Sequence, residues 1–150
     1  MSMGNISPEG GRVWIGYSLK IAQHRLRQRL EAELKGAGVS AAQNAVLLAI
    51  SNDPRISNAS LARAAFVTPQ SMQGMLVTLE RDGFITRTPH PEHGRIIMTE
   101  LTEKGLKAAE AGIVASEAVE RQMLSDLTQD EANTLAALLS RCADALDRDH

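Results

Sequence analysis

Apolar residues recur along the chain with two different periods, and the change of period marks its organisation. Ile15, Leu19, Ala22, Leu26 and Leu30 follow one another at intervals of four, three, four and four. This is the stripe of an amphipathic helix, predicted from about Val13 to Lys35 and stopped by Gly36 and Gly38. Ser40 with Gln43 has the form of a capping box and opens a second helix over the apolar run Ala45 to Ile50, which Asn52-Asp53-Pro54 ends. Ser57 or Asn58 can cap a short third helix carrying Leu61, Ala62 and Ala65. Thr68-Pro69, a cap residue with proline at the first helical position, starts a fourth. Met72, Leu76 and Leu79 form its inward face, and Asp82-Gly83 closes it.

The period then shortens. Phe84 to Thr88 and Arg95 to Thr99 are rich in β-branched residues and separated by Pro89 to Gly94, which predicts a hairpin with a proline-stiffened loop. Two strands alone are marginal, so the hairpin must pack on a helix. Thr102 restarts helix to about Ser125 with a stripe of Leu106, Ala109 and Ile113. Thr128 with Glu131 is a second capping box, and Leu135, Leu138, Leu139, Cys142 and Leu146 give the last helix a strong stripe. The expected fold is mainly α in one domain spanning 1–150. A winged helix-turn-helix over 40–100, with one β-hairpin wing, lies between long N- and C-terminal helices over 12–38 and 102–150. The stripes of those terminal helices exceed what the central unit can cover, which predicts dimerisation through them.

At 150 residues the chain has room for little more than one domain, and with 43% apolar residues it has the composition of a core-forming protein. No apolar run approaches the roughly 18 residues of a membrane span, and Met1 to Asn5 lacks a signal-peptide pattern, so a cytoplasmic protein without a membrane partner is expected. The lone Cys142 makes no intramolecular disulfide, and the four histidines have no zinc-site spacing. No cofactor or metal is expected. The net charge of −2 conceals an asymmetry. Six basic and three acidic side chains lie in residues 1–52, five and four in 53–98, and five and eleven in 99–150. A polyanion would therefore be met by a local patch in the first two thirds.

In a winged helix-turn-helix the second helix enters the major groove with its N-terminal end first. That end reads Thr68-Pro69-Gln70-Ser71, followed by Gln73. Gln can pair bidentately with adenine, while Ser and Thr serve phosphate or base. Arg95 in the wing suits a phosphate or a narrow minor groove. Arg55, Ser57, Arg63 and Arg87 complete the DNA-contact candidates, with Arg63 and Arg87 equally readable as solvated surface charges.

At these residues the chain resembles the MarR family of bacterial transcriptional regulators. The likeness rests on Ala59 to Met72 (ASLARAAFVTPQSM), the turn Leu79 to Ile85 (LERDGFI), the restart Leu101 to Gly105 (LTEKG), and the long helices on either side. It implies a homodimer with interlocked terminal helices, double-stranded DNA carrying a pseudo-palindromic operator as partner, and repression relieved by a small aromatic or phenolic effector. Two departures stand out. The wing arginine of the family falls on Arg95, but a histidine, His93, stands where many members have Asp. Gly74 and Thr78 occupy the middle of the fourth helix, where many members are basic.

Other residues have plainer readings beside the functional ones. Trp14 and Tyr17 suit dimer packing, or an effector pocket with His24 or Arg25 as anchor. Cys142 reads as a small hydrophobe buried on the last stripe rather than a redox sensor. His90 and His93 lack the acidic or thiol neighbours of a metal site. No Ser/His/Asp or Cys/His arrangement that sequence order makes plausible, no glycine-rich phosphate loop and no paired carboxylates in an apolar setting support an enzyme. The competing function is a winged-helix module that binds protein without specific DNA binding.

Overall fold

The computed structural model describes residues 14–148. Val13, where the first helix is expected to begin, lies outside them. The order is α1 (Ile15–Leu34), a 3₁₀ turn (Lys35–Ala37), α2 (Ala41–Asn52), α3 (Asn58–Ala65), α4 (Pro69–Arg81), β1 (Ile85–Pro89), β2 (Ile97–Leu101), α5 (Glu103–Met123) and α6 (Gln129–Asp147). No helix among the described residues is long and apolar enough to cross a membrane.

Local chemistry sets most of these boundaries. Ser40 and Gln43 form the full capping box of α2, as Thr128 and Glu131 do for α6. Ser57 caps α3 and Thr68 caps α4, each accepting the N–H three residues on. Gly38 (φ +75°) and Gly83 (φ +83°) take the left-handed conformation that ends a helix at little cost in glycine. The core gathers Leu34, Val46, Leu47, Ile50, Leu61, Met72, Leu79 and Ile85, so α2, α3 and α4 close around one apolar centre with the foot of the wing. The inward face expected of α4 is buried at all three positions.

The hairpin is displaced from its expected limits. It pairs antiparallel from Ile85 opposite Leu101 to Pro89 opposite Ile97. Phe84 belongs to the helix end, because its N–H donates to the Leu79 carbonyl. Arg95 and Ile96 belong to the loop, which the bond from His90 N–H to the Ile96 carbonyl (2.7 Å) and that from Ile96 N–H to the His93 carbonyl (2.8 Å) close. The hairpin is fastened to the helical body by Thr99, whose N–H reaches the Pro54 carbonyl at 3.1 Å.

The face of α5 differs from expectation at two of its three positions, Ala109 alone being buried. Leu106 and Ile113 are about half exposed (48% and 46%), and the buried face is Gly105, Ala108, Ala109, Gly112, Ala115 and Val119. The physical reason is close packing: a methyl group on Gly105 would run into the Phe84 carbonyl, and one on Gly112 into the Asn44 side-chain oxygen. Asn44 is itself buried, and its Oδ1 has no hydrogen-bond partner. Small residues here let α5 approach α2 more closely than a leucine stripe would allow.

Cys142 is also a correction: it is exposed in the single chain. So are Leu135, Leu138, Leu139 and Leu146, and no residue of α6 is buried. On α1 only Leu34 is buried, with Leu26 and Leu30 half-buried and Ile15, Leu19 and Ala22 exposed. One chain leaves both terminal stripes uncovered because its core is already filled by the central helices.

Glycine substitutions separate packing from helix propensity. Gly112→Ala is expected to lower stability by about 1–3 kcal/mol because the added methyl must displace Asn44. Gly74→Ala, in the middle of α4 with open space around it, is expected to raise it by about 0.5–1 kcal/mol. Urea unfolding of the two variants reads both signs; a stabilising Gly112→Ala would refute the close α2–α5 contact.

Candidate nucleic-acid interface

The helix pair α3 and α4 meets through a turn whose groups are largely occupied. The Ser57 and Thr68 hydroxyls accept the N–H of Ser60 and Ser71 and donate to the Ser60 and Ser71 hydroxyls. Asn58 Nδ2 donates to the Pro69 carbonyl at 3.3 Å, tying α3 to the first turn of α4. Two residues expected at the interface, Ser57 and Thr68, are thus helix caps first. Pro69, Gln70, Ser71 and Gln73 are exposed, opposite the buried Met72, Leu76 and Leu79. The polar end of α4 is held rigidly from behind and left open in front.

Between α4 and the wing runs a cleft of about 690 Å³. Arg55, Ser57, Gln73, Arg87 and Arg95 all line it, so the fold brings together half of the expected contact residues from segments far apart in sequence. Arg63 stands apart on α3, its Nη2 donating to Ser60 Oγ at 2.9 Å.

The arginines are unequal. Arg87 lies 3.8 Å from the Glu80 carboxylate, an ion-pair distance too long for a hydrogen bond, and its buried Nε has no hydrogen-bond partner. Sequence reading missed Glu80 because the pair joins a helix to a strand. Arg55 Nη2 lies 3.2 Å from His90 Nε2, while His90 Nδ1 accepts the N–H of Glu92 and His93. Arg55 thereby steadies the wing loop. His90 and His93 stack with centroids 5.3 Å apart, and no group of three or more metal-ligating side chains forms among the described residues.

The structure does not gather Trp14, Tyr17, His24 and Arg25 into one pocket. Tyr17 lines a shallow depression with Gly16, Leu19, Lys20 and Gln23. Arg25 lines a different groove of about 330 Å³ between α1 and α5, with Ala22, Leu26, Arg29, Val119, Gln122 and Met123. Arg29 Nε donates to Gln122 Oε1 at 3.1 Å across that groove.

Phe66, which sequence reading passed over, stands in the turn between α3 and α4 with φ +55° and 95% exposure. It caps α3 in the left-handed region, where glycine or asparagine is usual and a bulky residue costs about 1–2 kcal/mol.

A two-helix reading unit with an arginine-lined wing, carried between long helices, defines a winged helix-turn-helix DNA-binding protein. The MarR family model matches residues 39–97. An HTH-type transcriptional repressor of Mycobacterium tuberculosis, Rv2887, is 30% identical over 127 residues, covering 85% of this chain and 91% of the relative. The chain belongs to the MarR family, and it is a DNA-binding transcriptional regulator. The crystal structure of Rv2887 in complex with salicylic acid superposes with a TM-score of 0.72 at 29% identity, covering 88% of this chain and 98% of that one. That of a mutant of Escherichia coli MarR, complexed with operator DNA, gives 0.76 at 25% identity over 85% and 92% of the two chains.

Proposed function

We propose that this chain acts as a homodimeric repressor that reads a pseudo-palindromic operator through the N-terminal end of α4 and is released by a small aromatic acid. The observation that carries the proposal is the orientation of α4. Its Met72, Leu76 and Leu79 are buried, which turns Gln70, Ser71 and Gln73 outward beside a cleft carrying three arginines. Gln70, in the first turn, would reach a base edge, and Arg95, in the loop, would meet the backbone or a narrow minor groove. Arg55 and Arg63 supply phosphate contacts, whereas Arg87 must first leave Glu80. Ser57 and Thr68 act through the caps that fix the reading helix.

The uncovered stripes on α1 and α6 support the homodimer. Interlocking them in two copies would bury roughly 2,000 Å² or more, the range of obligate interfaces. Cys142 then returns to an apolar setting in the assembly. Repression follows from occupancy of the operator, as the names of the Mycobacterium relatives suggest. For the effector, the α1–α5 groove suits an aromatic carboxylate: apolar walls, two arginines and a volume at the low end of small-molecule sites. The relative solved with salicylic acid favours that ligand class.

The purified protein is expected to sediment as a compact dimer at micromolar concentration, with Leu138→Glu dissociating or unfolding it; a folded wild-type monomer would contradict the dimer.

Gel-shift titrations test the reading. On an operator duplex Gln70→Ala should cost about 1–3 kcal/mol, with little loss on a scrambled duplex. Arg95→Ala should weaken both and flatten the salt dependence by about one unit per protomer. If each protomer offers three unpaired arginines, log K against log salt should fall with a slope near about −5. A slope near zero would favour the protein-binding alternative. Salicylate should release wild-type protein from the operator and release Arg25→Ala less readily; equal release would move the effector elsewhere.

A further inference from the structure

Phe66 has a cost without a return inside the chain. Its ring is the most exposed large apolar side chain among the described residues. Its backbone is held in the left-handed region by the turn itself, since its N–H donates to the Arg63 carbonyl and the Val67 N–H to that of Ala62, at 3.2 and 3.0 Å. Relieving that strain would take only an asparagine or a glycine. A backbone outlier bearing an outward aromatic points to a contact made with something else.

The surroundings say what kind. Arg63, one turn back on α3, is exposed, and the polar end of α4 follows two residues later with Thr68, Gln70 and Ser71 exposed. Along the chain the ring is thus preceded by an exposed cation, whose Nη2 donates back to Ser60 Oγ, and followed by exposed hydrogen-bonding side chains. Contiguous apolar patches mark protein-binding surfaces, and this turn offers none, because Val67 is half-buried and Ala64 presents only a methyl. A nucleic-acid backbone alternates charged phosphates with apolar sugar faces, which suits an isolated ring with an exposed arginine three residues before it in the chain.

We infer that Phe66 packs on a deoxyribose at the lip of the major groove entered by α4, with Arg63 on the adjoining phosphate. The contact sets how deeply α4 is seated and carries no sequence information of its own. It rests on the reading of α4 as the DNA-recognition helix.

The test uses the full-length protein, a duplex recovered from a random-sequence pool by selection on the wild type, and a scrambled duplex. Phe66→Asn is the informative variant because asparagine tolerates the left-handed backbone. It should unfold at the same or a higher temperature than wild type, yet bind both duplexes about tenfold more weakly, the effect of one lost contact. Its salt slope should be unchanged, since no charge is removed. Phe66→Tyr should bind as wild type, and Arg63→Gln should flatten the slope by about one unit per protomer. Unchanged affinity of Phe66→Asn overturns the inference. Loss on the selected duplex alone would make Phe66 a base contact, and loss with a lowered unfolding temperature would make it structural; either also overturns it. If wild-type protein enriches no sequence and binds neither duplex, the DNA reading of α4 fails and takes the inference with it.

Discussion

The close approach of α5 to the helix-turn-helix unit is the contact on which the geometry of this protein depends. Gly105 lies under the Phe84 carbonyl and Gly112 against Asn44, so two missing side chains determine how near the long helix comes to α2 and to the foot of the wing. The same corner is knotted by hydrogen bonds. Thr102 caps α5 while its hydroxyl donates to the Gly83 carbonyl at 2.5 Å, and its N–H donates to the Phe84 carbonyl at 3.0 Å. Lys104 donates to the Asp82 carbonyl at 2.7 Å and lies 4.4 Å from the centre of the Phe84 ring. The end of α4, the base of the hairpin and the start of α5 therefore form one joint.

A joint of that kind would tie reading to assembly in a dimer. If the terminal helices interlock two copies, the separation of the two α4 ends is set through α5 rather than through any loop. A ligand in the groove between α1 and α5 would act on the same lever, and it could shift the balance only by binding one spacing better than another. Asn44, buried in the α2–α5 contact, occupies the space a methyl on Gly112 would take, so the contact in its present form depends on glycine there.

The sequence reveals what short-range chemistry decides. The boxes at Ser40 and Thr128, the Thr68-Pro69 start and the buried face of α4 depend on residues within a turn or two of each other. Distance and close contact hide the rest. Leu106 and Ile113 make an apolar stripe on α5, yet the packed side is glycine and alanine, because a tight helix contact selects small residues that periodicity does not weigh. Arg95 reads as strand because β-branched residues follow it, whereas hydrogen bonds across His90 to Ile96 keep it in the loop. The Arg87–Glu80 pair joins two elements, and the left-handed backbone of Phe66 comes from the turn geometry. The groove that Arg25 lines is not legible in the sequence, since its partners on α5 lie about a hundred residues away along the chain.

The most direct test of the account is hydroxyl-radical footprinting of the full-length protein on a selected duplex. Two copies joined through α1 and α6, each seating one α4 in the major groove, should protect two symmetric clusters of sugars with centres one helical turn apart, about 34–36 Å or a multiple of it. Protection confined to one cluster, or two clusters without two-fold symmetry, would contradict the coupling of assembly to reading.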